Sequence, residues 1–515
     1  MFELNDDSVA VVIGSGAGGG TMSRQLAEKG VKVVCLEAGK RLTMGDIIND
    51  EAAMFAKLTW LDQRIGEADA PADFPVWTAK TVGGTTMHWT AATPRLQDHE
   101  MKARTTYGDV QGASLADWPV TLAELEPYYD RAEDLMGVTG TNGIPFLPGS
   151  NNYKVLEAGA RNLGYKDIDT SRVAINPEPR DGRAGCLQLG FCTSGCATGA
   201  KWSTMYTEIP KAEATGNFEL RCECMVVNLL TDGQNRVSGV RYIDADGNTH
   251  VQKARFVCVA GNAPETARLL LNSKNDRYPN GLANSSDQVG RNYLRHVMSA
   301  VVSIMPGEVH FYKGTQIAGI VRDEMRNDTG RGFCGGFQLN VVSWTPSYLA
   351  NNMLPGKWGK EFTDVMEQYR NFAAILIIGE DLPRAENRIT LHPQRKDQYG
   401  IPLSVVHYEH HPNNRSMLKY AMDVSRNMHA SLNAVQQFDL DVFPATHNMG
   451  TARMGDDPKT SVCNKWGRTH DINNLFISDG SLFPTAGCEN PTITIVALVL
   501  RQAEHILDKI SRNEL

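Results

Sequence analysis

The feature that most constrains the fold is a glycine-rich turn between two apolar segments near the N-terminus. Residues 9–13 (VAVVI) form the short apolar run typical of a strand buried on both faces. Residues 14–19 (GSGAGG) fit the pattern G-x-G-x-x-G. A helical stretch over about 22–29 and a second apolar strand over 31–36 follow. A strand–helix–strand unit of this kind predicts a parallel, doubly wound sheet.

The spacing of these glycines indicates a dinucleotide cofactor. Gly14 permits the tight turn, Gly16 lets the backbone approach a pyrophosphate, and Gly19 lets helix and strand pack closely. Glu37 follows Gly19 by eighteen residues, at the end of the second strand, where its carboxylate suits a ribose 2′-hydroxyl. An acid there disfavours a 2′-phosphate. The pattern does not distinguish NAD from FAD, but its position at the start of a 515-residue chain favours FAD.

Composition narrows the class of protein further. The chain has 51 Lys+Arg and 59 Asp+Glu, a net charge of −8, which argues against binding nucleic acid. With 42% hydrophobic and 21% charged residues, it is neither wholly disordered nor fibrous. The longest apolar runs, 372–379 and 492–500, are shorter than the ~20 residues that cross a bilayer. We therefore expect no transmembrane segment.

Six further segments have a distinctive sequence. In chain order they are 37–39 (EAG), 82–89 (VGGTTMHW), 261–270 (GNAPETARLL), 447–455 (HNMGTARMG), 479–481 (DGS) and 490–492 (NPT). In this order they resemble motifs of the glucose-methanol-choline (GMC) oxidoreductase family. Ala267 stands where that family usually has Pro or Ser, and the stretch 296–439 is covered only loosely.

The resemblance implies an α/β fold of two interleaved parts. One is a Rossmann-like FAD-binding domain with a parallel sheet, and the other is a sheet-based α+β substrate domain. The expected FAD-binding residues beyond the glycine loop are Gly83, Gly84, Thr85, His88, Asp479, Gly480, Pro491 and Thr492. The expected boundaries are 1–150, 186–295 and 440–515 for the FAD-binding domain, and 151–185 and 296–439 for the substrate domain.

An oxidation of an alcohol needs a base beside the hydride acceptor. When hydride leaves carbon for a flavin, at its N5 atom, the protein must take the hydroxyl proton, and a neutral histidine suits this because its ordinary pKa is about 6.5. The resemblance assigns this role to His447 and places Asn490 beside it, donating an amide hydrogen to the substrate oxygen. Asn490 could equally cap the last helix, and the two roles are compatible.

Two questions about the flavin remain open at this stage. In some pyranose-oxidising relatives, the histidine that corresponds to His88 anchors the flavin covalently, whereas related bacterial sugar dehydrogenases keep the histidine with a non-covalent flavin. Pro491 begins the last helix, and the partial positive charge of that helix end would favour reduced flavin if it lies near the pyrimidine edge.

Three cysteines fall within eleven residues, at Cys186, Cys192 and Cys196. An irregular loop with three thiolates suits a three-iron cluster, [3Fe-4S], or a four-iron cluster with an outside ligand. The spacing resembles that of the catalytic subunits of bacterial flavin-dependent glucose, fructose and gluconate dehydrogenases, although the neighbouring residues are not Pro-rich here. Bare thiols, zinc, and a disulfide with a spare thiol are the other interpretations.

Together these motifs predict an FAD-dependent dehydrogenase that oxidises a secondary hydroxyl of a sugar or glycoside, with the 3-position of a glucoside favoured. We expect electrons to pass through the cysteine loop to a quinone, a cytochrome or a dye. Trp89, Trp344 and the run 407–411 (HYEHH) could line a carbohydrate pocket, although a solvated strand end is the simpler interpretation of that run.

Three other functions compete with this prediction. An oxidase would return electrons to O2 without a cluster, and a flavin electron-transfer subunit would lack catalysis. An NAD-dependent dehydrogenase ranks last because the C-terminal motifs would have no role in it.

The residues before the first strand bear on location. They contain neither a basic region nor a cleavage site, which predicts a cytoplasmic protein. Periplasmic residence stays open, because small partner subunits of related bacterial dehydrogenases can carry the export signal.

Overall fold

A computed structural model describes residues 2–440 and 446–515. The strands are β1 (Ala10–Ile13), β2 (Val33–Leu36), β3 (Ile65–Ala68), β4 (Ile168–Asp169), β5 (Phe218–Arg221), β6 (Met225–Thr231), β7 (Val237–Ile243), β8 (Thr249–Lys253), β9 (Phe256–Val259), β10 (Val297–Ile304), β11 (Ile320–Val321), β12 (Phe337–Val341), β13 (Phe372–Gly379), β14 (Arg388–Lys396), β15 (Pro402–Tyr408), β16 (Gln436–Leu440) and β17 (Leu475–Ile477).

The α-helices alternate with the strands only from β1 to β3, after which helices and strands occur mostly in runs. They are α1 (Ala17–Ala27), α2 (Glu51–Leu58), α3 (Asp98–Met101), α4 (Ala103–Tyr107), α5 (Leu122–Met136), α6 (Asn151–Asn162), α7 (Glu208–Glu213), α8 (Ala263–Asn272), α9 (Pro346–Met353), α10 (Gly359–Met366), α11 (Pro412–Ala430) and α12 (Thr492–Ser511).

A five-stranded parallel sheet forms the first layer, in the order β17-β9-β1-β2-β5. Its central strands are fully buried, as apolar runs covered by helices on both faces should be. Helix α1 packs against α7 and α12, which brings the N-terminal and C-terminal segments together. The predicted fold class, a Rossmann-like parallel sheet combined with separate antiparallel sheets, is confirmed.

Helix α1 begins at Ala17, five residues before the start expected from the sequence. Glycines 18–20 have low helical propensity, so the sequence pattern placed the helix after them. They are helical because the first turn lies directly against other backbone. A Cβ at Gly18 would stand 1.7 Å from the carbonyl oxygen of Ser478, and one at Gly19 would stand 1.9 Å from that of Gly14.

A six-stranded antiparallel sheet forms the second layer, in the order β16-β10-β13-β12-β11-β4. Side chains alternate across it, as the pleat requires. Along β13, Ile375 and Ile377 pack into the cluster shared with α6 and α11, whereas Leu376 and Ile378 face a cavity. The sheet therefore has one face covered by helices and one face turned toward that cavity.

Two smaller sheets complete the architecture. Strands β6, β7 and β8 pair antiparallel, and β3 pairs with β15, which in turn pairs with β14. Helix α11 packs against α6 and β10, and helix α12 packs against α1 and α5. Strand β4 lies in the same sheet as the strands of 297–440, while the division into two domains remains a prediction.

Within residues 2–440 and 446–515, no helix combines the length and the apolar character that crossing a bilayer would require.

The close approach at Gly19 gives a stability prediction. We expect Gly19→Ala to lower the free energy of unfolding by about 1–3 kcal/mol or more, because the new methyl group would overlap the carbonyl of Gly14. Gly233→Ala is the matched control, since a Cβ there meets nothing within 4 Å. Denaturant unfolding of both variants checks this, and equal stabilities would contradict it.

Candidate active site

The glycine loop lies at the meeting point of several chain segments. Gly14 has a φ of +91°, and a Cβ there would stand 2.4 Å from the carbonyl oxygen of Ala260. Gly84 has a φ of +50°, and its Cβ would stand 2.9 Å from the Cα of Gly16. The amide of Gly83 donates to Ser15 Oγ at 3.0 Å. The turn expected from sequence and the loop at 82–89 are therefore in direct contact.

A cavity of about 1010 Å³ opens beside this turn. Gly19 and Gly83 support the cavity from behind without lining it. The predicted cofactor residues that line it are Gly14, Gly16, Glu37, Gly84, Thr85, Asp479 and Gly480.

Glu37 is buried at the end of β2 and holds the glycine loop in place. Its carboxylate accepts hydrogen bonds from the amide and hydroxyl of Ser15, at 3.0 and 2.7 Å, and from the amide of Gly39 at 2.9 Å. Burial raises the pKa of Glu37, and these hydrogen bonds, which lower it, offset only part of the rise. Its place in the cavity wall is where a ribose would lie in a dinucleotide site.

Asp479 joins the C-terminal segment to the turn before α8. Its carboxylate accepts from the amide of Asn262 at 2.9 Å, the hydroxyl of Thr266 at 2.6 Å and the amide of Ser481 at 2.9 Å. Burial raises the pKa of Asp479, and these hydrogen bonds oppose the rise. The carboxylate therefore organises the cavity wall from two distant parts of the chain.

A second cavity, of about 1080 Å³, continues from the first. Four residues line both: Thr85, Asn262, Asn448 and Ile495. At this junction Oδ1 of Asn262 and Nδ2 of Asn448 are buried without a hydrogen-bond partner. Unsatisfied buried polar atoms of this kind are expected where a ligand supplies the missing partners. A dinucleotide that extends from the first cavity into the second fits the residues present.

His447 and Asn490 meet in the wall of the second cavity. Nδ2 of Asn490 lies 3.4 Å from Nε2 of His447, and Oδ1 of Asn490 accepts from Nε2 of Gln338 at 3.2 Å. Gln338 Nε2 also donates to the carbonyl oxygen of Cys488 at 2.6 Å. Pro491 and Thr492, at the start of α12, line the same cavity. The two residues expected to act together are therefore adjacent.

His296 is a member of this site that the sequence did not indicate. Its Nδ1 lies 2.7 Å from Nδ1 of His447, with the rings at 89°. Burial lowers the pKa of His296 to about 4 and takes that of His447 well below 6.5, where His296 adds to the effect. Both imidazoles are therefore neutral. His296 occurs between Arg295 and Val297 in no recognisable motif, so only the fold brings it to His447.

His88 faces the second cavity from the loop at 83–89. Its ring stacks on Trp77, with centroids 4.8 Å apart and planes at 2°, and its Nε2 is buried without a partner. Burial, with the charge of Lys201, lowers the pKa of His88 to about 3. A neutral ring nitrogen without a protein partner in the cavity wall suits either a hydrogen bond or a covalent bond to a flavin, so the covalent question remains open.

The three clustered cysteines lie on one irregular loop, all half-buried against the same apolar core. Cys186 Sγ accepts from the amide of Gln188 at 3.3 Å, and Cys196 Sγ accepts from that of Lys201 at 3.4 Å. Hydrogen bonds from amides to sulfur are a feature of iron–sulfur ligands. The three residues are separate thiols, not a disulfide. In the described part of the chain, the three sulfur atoms do not all lie within 4.8 Å of one another, so a cluster at this loop remains a prediction.

Lys201 connects the cysteine loop to the loop that carries His88. Its buried ammonium donates to the carbonyl oxygens of Met87 and Trp89, each at 2.8 Å, and of Cys192 at 2.5 Å. Burial lowers the pKa of Lys201 to about 8. Thr193, next to Cys192, lines the second cavity. The cysteine loop is thus one side chain away from the predicted flavin loop, which the sequence pattern could not reveal.

The aromatic residues expected near a carbohydrate divide into two groups. Trp89 and Trp344 line the second cavity. In the run 407–411, His407 contacts Glu67 at 2.5 Å and His411 accepts from the amide of Asn413 at the start of α11. The cavity wall includes none of the five residues of that run. They have structural roles at a strand end and a helix cap.

Comparison with known proteins assigns the family. A family model described as GMC oxidoreductase matches residues 9–298, more than half of the chain, and a second with the same description matches residues 383–498. The chain belongs to the GMC oxidoreductase family. FAD is the cofactor of this family, and the two continuous cavities fit it. The protein is therefore an FAD-dependent enzyme that acts on CH–OH groups.

Several curated relatives match almost the whole chain. 2-Methyl-1,2-propanediol dehydrogenase of Mycolicibacterium austroafricanum is 33% identical, over 99% of this chain and 97% of the relative. Paromamine 6′-oxidase of Streptomyces fradiae is 31% identical, over 99% and 93%. The fructose dehydrogenase large subunit of Gluconobacter japonicus is 29% identical, over 98% of both. Alcohol and sugar dehydrogenases and oxidases are thus all represented.

Solved structures support the fold. Pyridoxine 4-oxidase from Mesorbium loti superposes with a TM-score of 0.72 at 18% sequence identity, over 98% of this chain and 99% of the other.

The electrostatics of His447 give a pH prediction. Burial takes the pKa of His447 well below 6.5. As the pH falls, His447 therefore stays neutral and able to accept a proton at pH values where a solvent-exposed histidine is already charged. We expect kcat/KM to hold its plateau down through about pH 6 and to fall only at more acidic pH. Steady-state kinetics across pH checks this. An acid limb centred near 6.5 would contradict it.

Proposed function

We propose that this protein is an FAD-dependent dehydrogenase that oxidises a secondary hydroxyl of a sugar or glycoside, the 3-position of a glucoside being favoured, with His447 as the base. The single observation that carries the proposal is the contact of His447 with Asn490 in the wall of a cavity continuous with the dinucleotide site. When bound, FAD supplies the hydride acceptor for such an oxidation.

In this proposal His447 and Asn490 have different roles at the substrate hydroxyl: one accepts its proton and the other donates a hydrogen bond to its oxygen. Nε2 of His447 accepts the proton as the C–H bond breaks, and burial keeps that nitrogen unprotonated beforehand. The amide of Asn490 donates to the same oxygen as negative charge develops on it. Gln338 holds Asn490 by its Oδ1, which leaves the N–H groups turned toward His447. Neither residue competes with the other for the proton.

The rest of the cavity favours a glycoside over a free sugar. Its wall beyond the catalytic pair is largely apolar and aromatic, formed by Met298, Ile317, Val342, Trp344, Tyr348, Leu376 and Ile378. In the described part of the chain, no Asp, Glu, Lys or Arg side chain lines it. A substrate with a hydroxyl at one end and an apolar group at the other matches this wall better than a free hexose, which is polar all round.

A second candidate substrate class follows from the same wall. The relative from Mycolicibacterium austroafricanum is named for 2-methyl-1,2-propanediol, a small branched diol with an apolar side. An alcohol of this kind would also present one hydroxyl to His447 and bury its carbon skeleton. A panel of glucosides with apolar aglycones, free hexoses and branched alkyl diols separates the two, by the rate at which each bleaches the flavin anaerobically.

We propose that electrons leave through a [3Fe-4S] cluster held by Cys186, Cys192 and Cys196. Support comes from the amide–sulfur hydrogen bonds and from Lys201, whose ammonium lies between this loop and the His88 loop. A buried cation beside the loop offsets the negative charge that thiolate ligands bring. The route from the second cavity to these cysteines is short, because Thr193 lies in both the cavity wall and the cysteine loop.

The surface beside these cysteines suits an external electron acceptor. Leu187 and Leu189, which follow Cys186 in sequence, are 66% and 47% exposed. Large exposed apolar side chains at an electron exit favour a quinone, a cytochrome or an accessory subunit. We propose a cytoplasmic location from the sequence, with the periplasm as the alternative if such a subunit carries an export signal.

The base assignment has a direct test. We expect His447→Ala to retain FAD but to lose flavin reduction by substrate by at least about 100-fold, because the variant lacks the base that takes the hydroxyl proton. Anaerobic stopped-flow absorbance measures this. His429→Ala is the control, since His429 is also fully buried but bonds Ser303 instead. Reduction at the wild-type rate in His447→Ala would refute the proposed function.

The electron route has a separate test. We expect Cys192→Ser to lose iron and turnover with an external acceptor while flavin reduction by substrate continues, because the cavity itself is unchanged. Iron analysis and electron paramagnetic resonance of the wild-type protein provide the reference. Cys463→Ser is the control, since Cys463 is a buried thiol whose backbone bonds to Arg453 and Gly455 and not to the cysteine loop. A protein without iron that produces hydrogen peroxide would instead be an oxidase.

A further inference from the structure

The hydrogen bonds around His447 form a chain, and a backbone carbonyl at one end of it determines which atom donates and which accepts at every link. Gln338 contacts the backbone carbonyl of Cys488 at 2.6 Å, and a carbonyl oxygen only accepts. The atom of Gln338 at this contact is therefore the amide nitrogen. The same nitrogen lies 3.2 Å from the side chain of Asn490, which must present its oxygen there. The orientations of both amides follow from one backbone group.

The direction continues through the catalytic histidine. Because the oxygen of Asn490 faces Gln338, its nitrogen is the atom that lies 3.4 Å from Nε2 of His447. An amide nitrogen donates, so Nε2 of His447 must offer a lone pair and its proton must be on Nδ1. Nδ1 lies 2.7 Å from Nδ1 of His296, which must then be the acceptor. The proton of His296 is consequently on Nε2.

The surroundings of His296 bear on this assignment. Its Nε2 is buried without a hydrogen-bond partner, while the nearby backbone of Ala486 and Gly487 favours a proton on the ring. Burial keeps both rings neutral, so each carries a single proton. His296 immediately precedes β10, on the same face as Met298, which lines the cavity. The sheet therefore holds the ring from behind the catalytic residue.

We propose that His296 is a positioning residue that holds His447 in the tautomer with the proton on Nδ1 and the lone pair on Nε2. This inference rests on the proposed function, in which Nε2 takes the substrate proton. When that proton arrives, His447 carries both ring protons, and the bond from its Nδ1 to His296 becomes charge-assisted and stronger. Without the acceptor, His447 would also populate the tautomer with Nε2 protonated, which cannot act as a base.

The kinetic test compares two substitutions at one position. We expect His296→Leu, which removes the acceptor, to lower the rate constant of flavin reduction at least about tenfold with little change in KM. His296→Gln retains an acceptor oxygen and should recover much of that loss. His429→Leu controls for the loss of a buried histidine as such. Equal activity of His296→Leu and the wild type, or equal losses in the Leu and Gln variants, would overturn the proposal.

The tautomer itself can be observed without turnover. In holoenzyme labelled with 15N-histidine, the signals of His447 and His296 are assigned by their absence from His447→Ala and His296→Gln. We expect a protonated Nδ1 on His447 and a protonated Nε2 on His296, and mixed tautomers of His447 in His296→Leu. A protonated Nε2 on His447 would overturn the inference. This measurement tests the tautomer inference independently of the proposed function. If His447→Ala retained activity, the proposed function would be refuted, but the tautomer of His447 would still be observed.

Discussion

The site depends on a steric constraint, which is that backbone lies against backbone at three positions of the N-terminal glycine loop. Positions 14, 18 and 19 exclude a Cβ because carbonyl oxygens of Ala260, Ser478 and Gly14 occupy the space. The contacts with Ala260 and Ser478 join the first strand–helix unit to segments more than two hundred and more than four hundred residues away. The cavity for the dinucleotide exists because those distant segments meet at a glycine-rich turn.

The second constraint is the alternation of side chains in the antiparallel sheet. Strands β10 and β13 contribute to the helix-covered core on one face and to the cavity on the other, so β10 places Val297 in the core and Met298 in the wall. By the same alternation, Gln338 on β12 faces Asn490, and His296 faces His447. Packing on the helix side thus positions the residues that orient the catalytic pair.

The sequence alone predicted those residues of the site that stand in short local motifs. The glycine turn, Glu37, His447 and Asn490 could be found because each stands in a short pattern with a chemical reason. The helix start at Ala17 was missed because tertiary packing overrides the low propensity of glycine. His296, Gln338 and Lys201 have no local signature, because only long-range pairing brings them to the site.

The nature of the group behind His447 has a consequence for proton release. In the described residues, the hydrogen bonds of His447 run to an imidazole and an amide, and none runs to a carboxylate. A carboxylate would stabilise the imidazolium strongly and hold the proton after oxidation. A neutral imidazole fixes the tautomer with less stabilisation of the charge, and burial disfavours the charge further. In the proposed mechanism, such a base takes the proton while negative charge develops on the substrate oxygen and then returns readily to its neutral form.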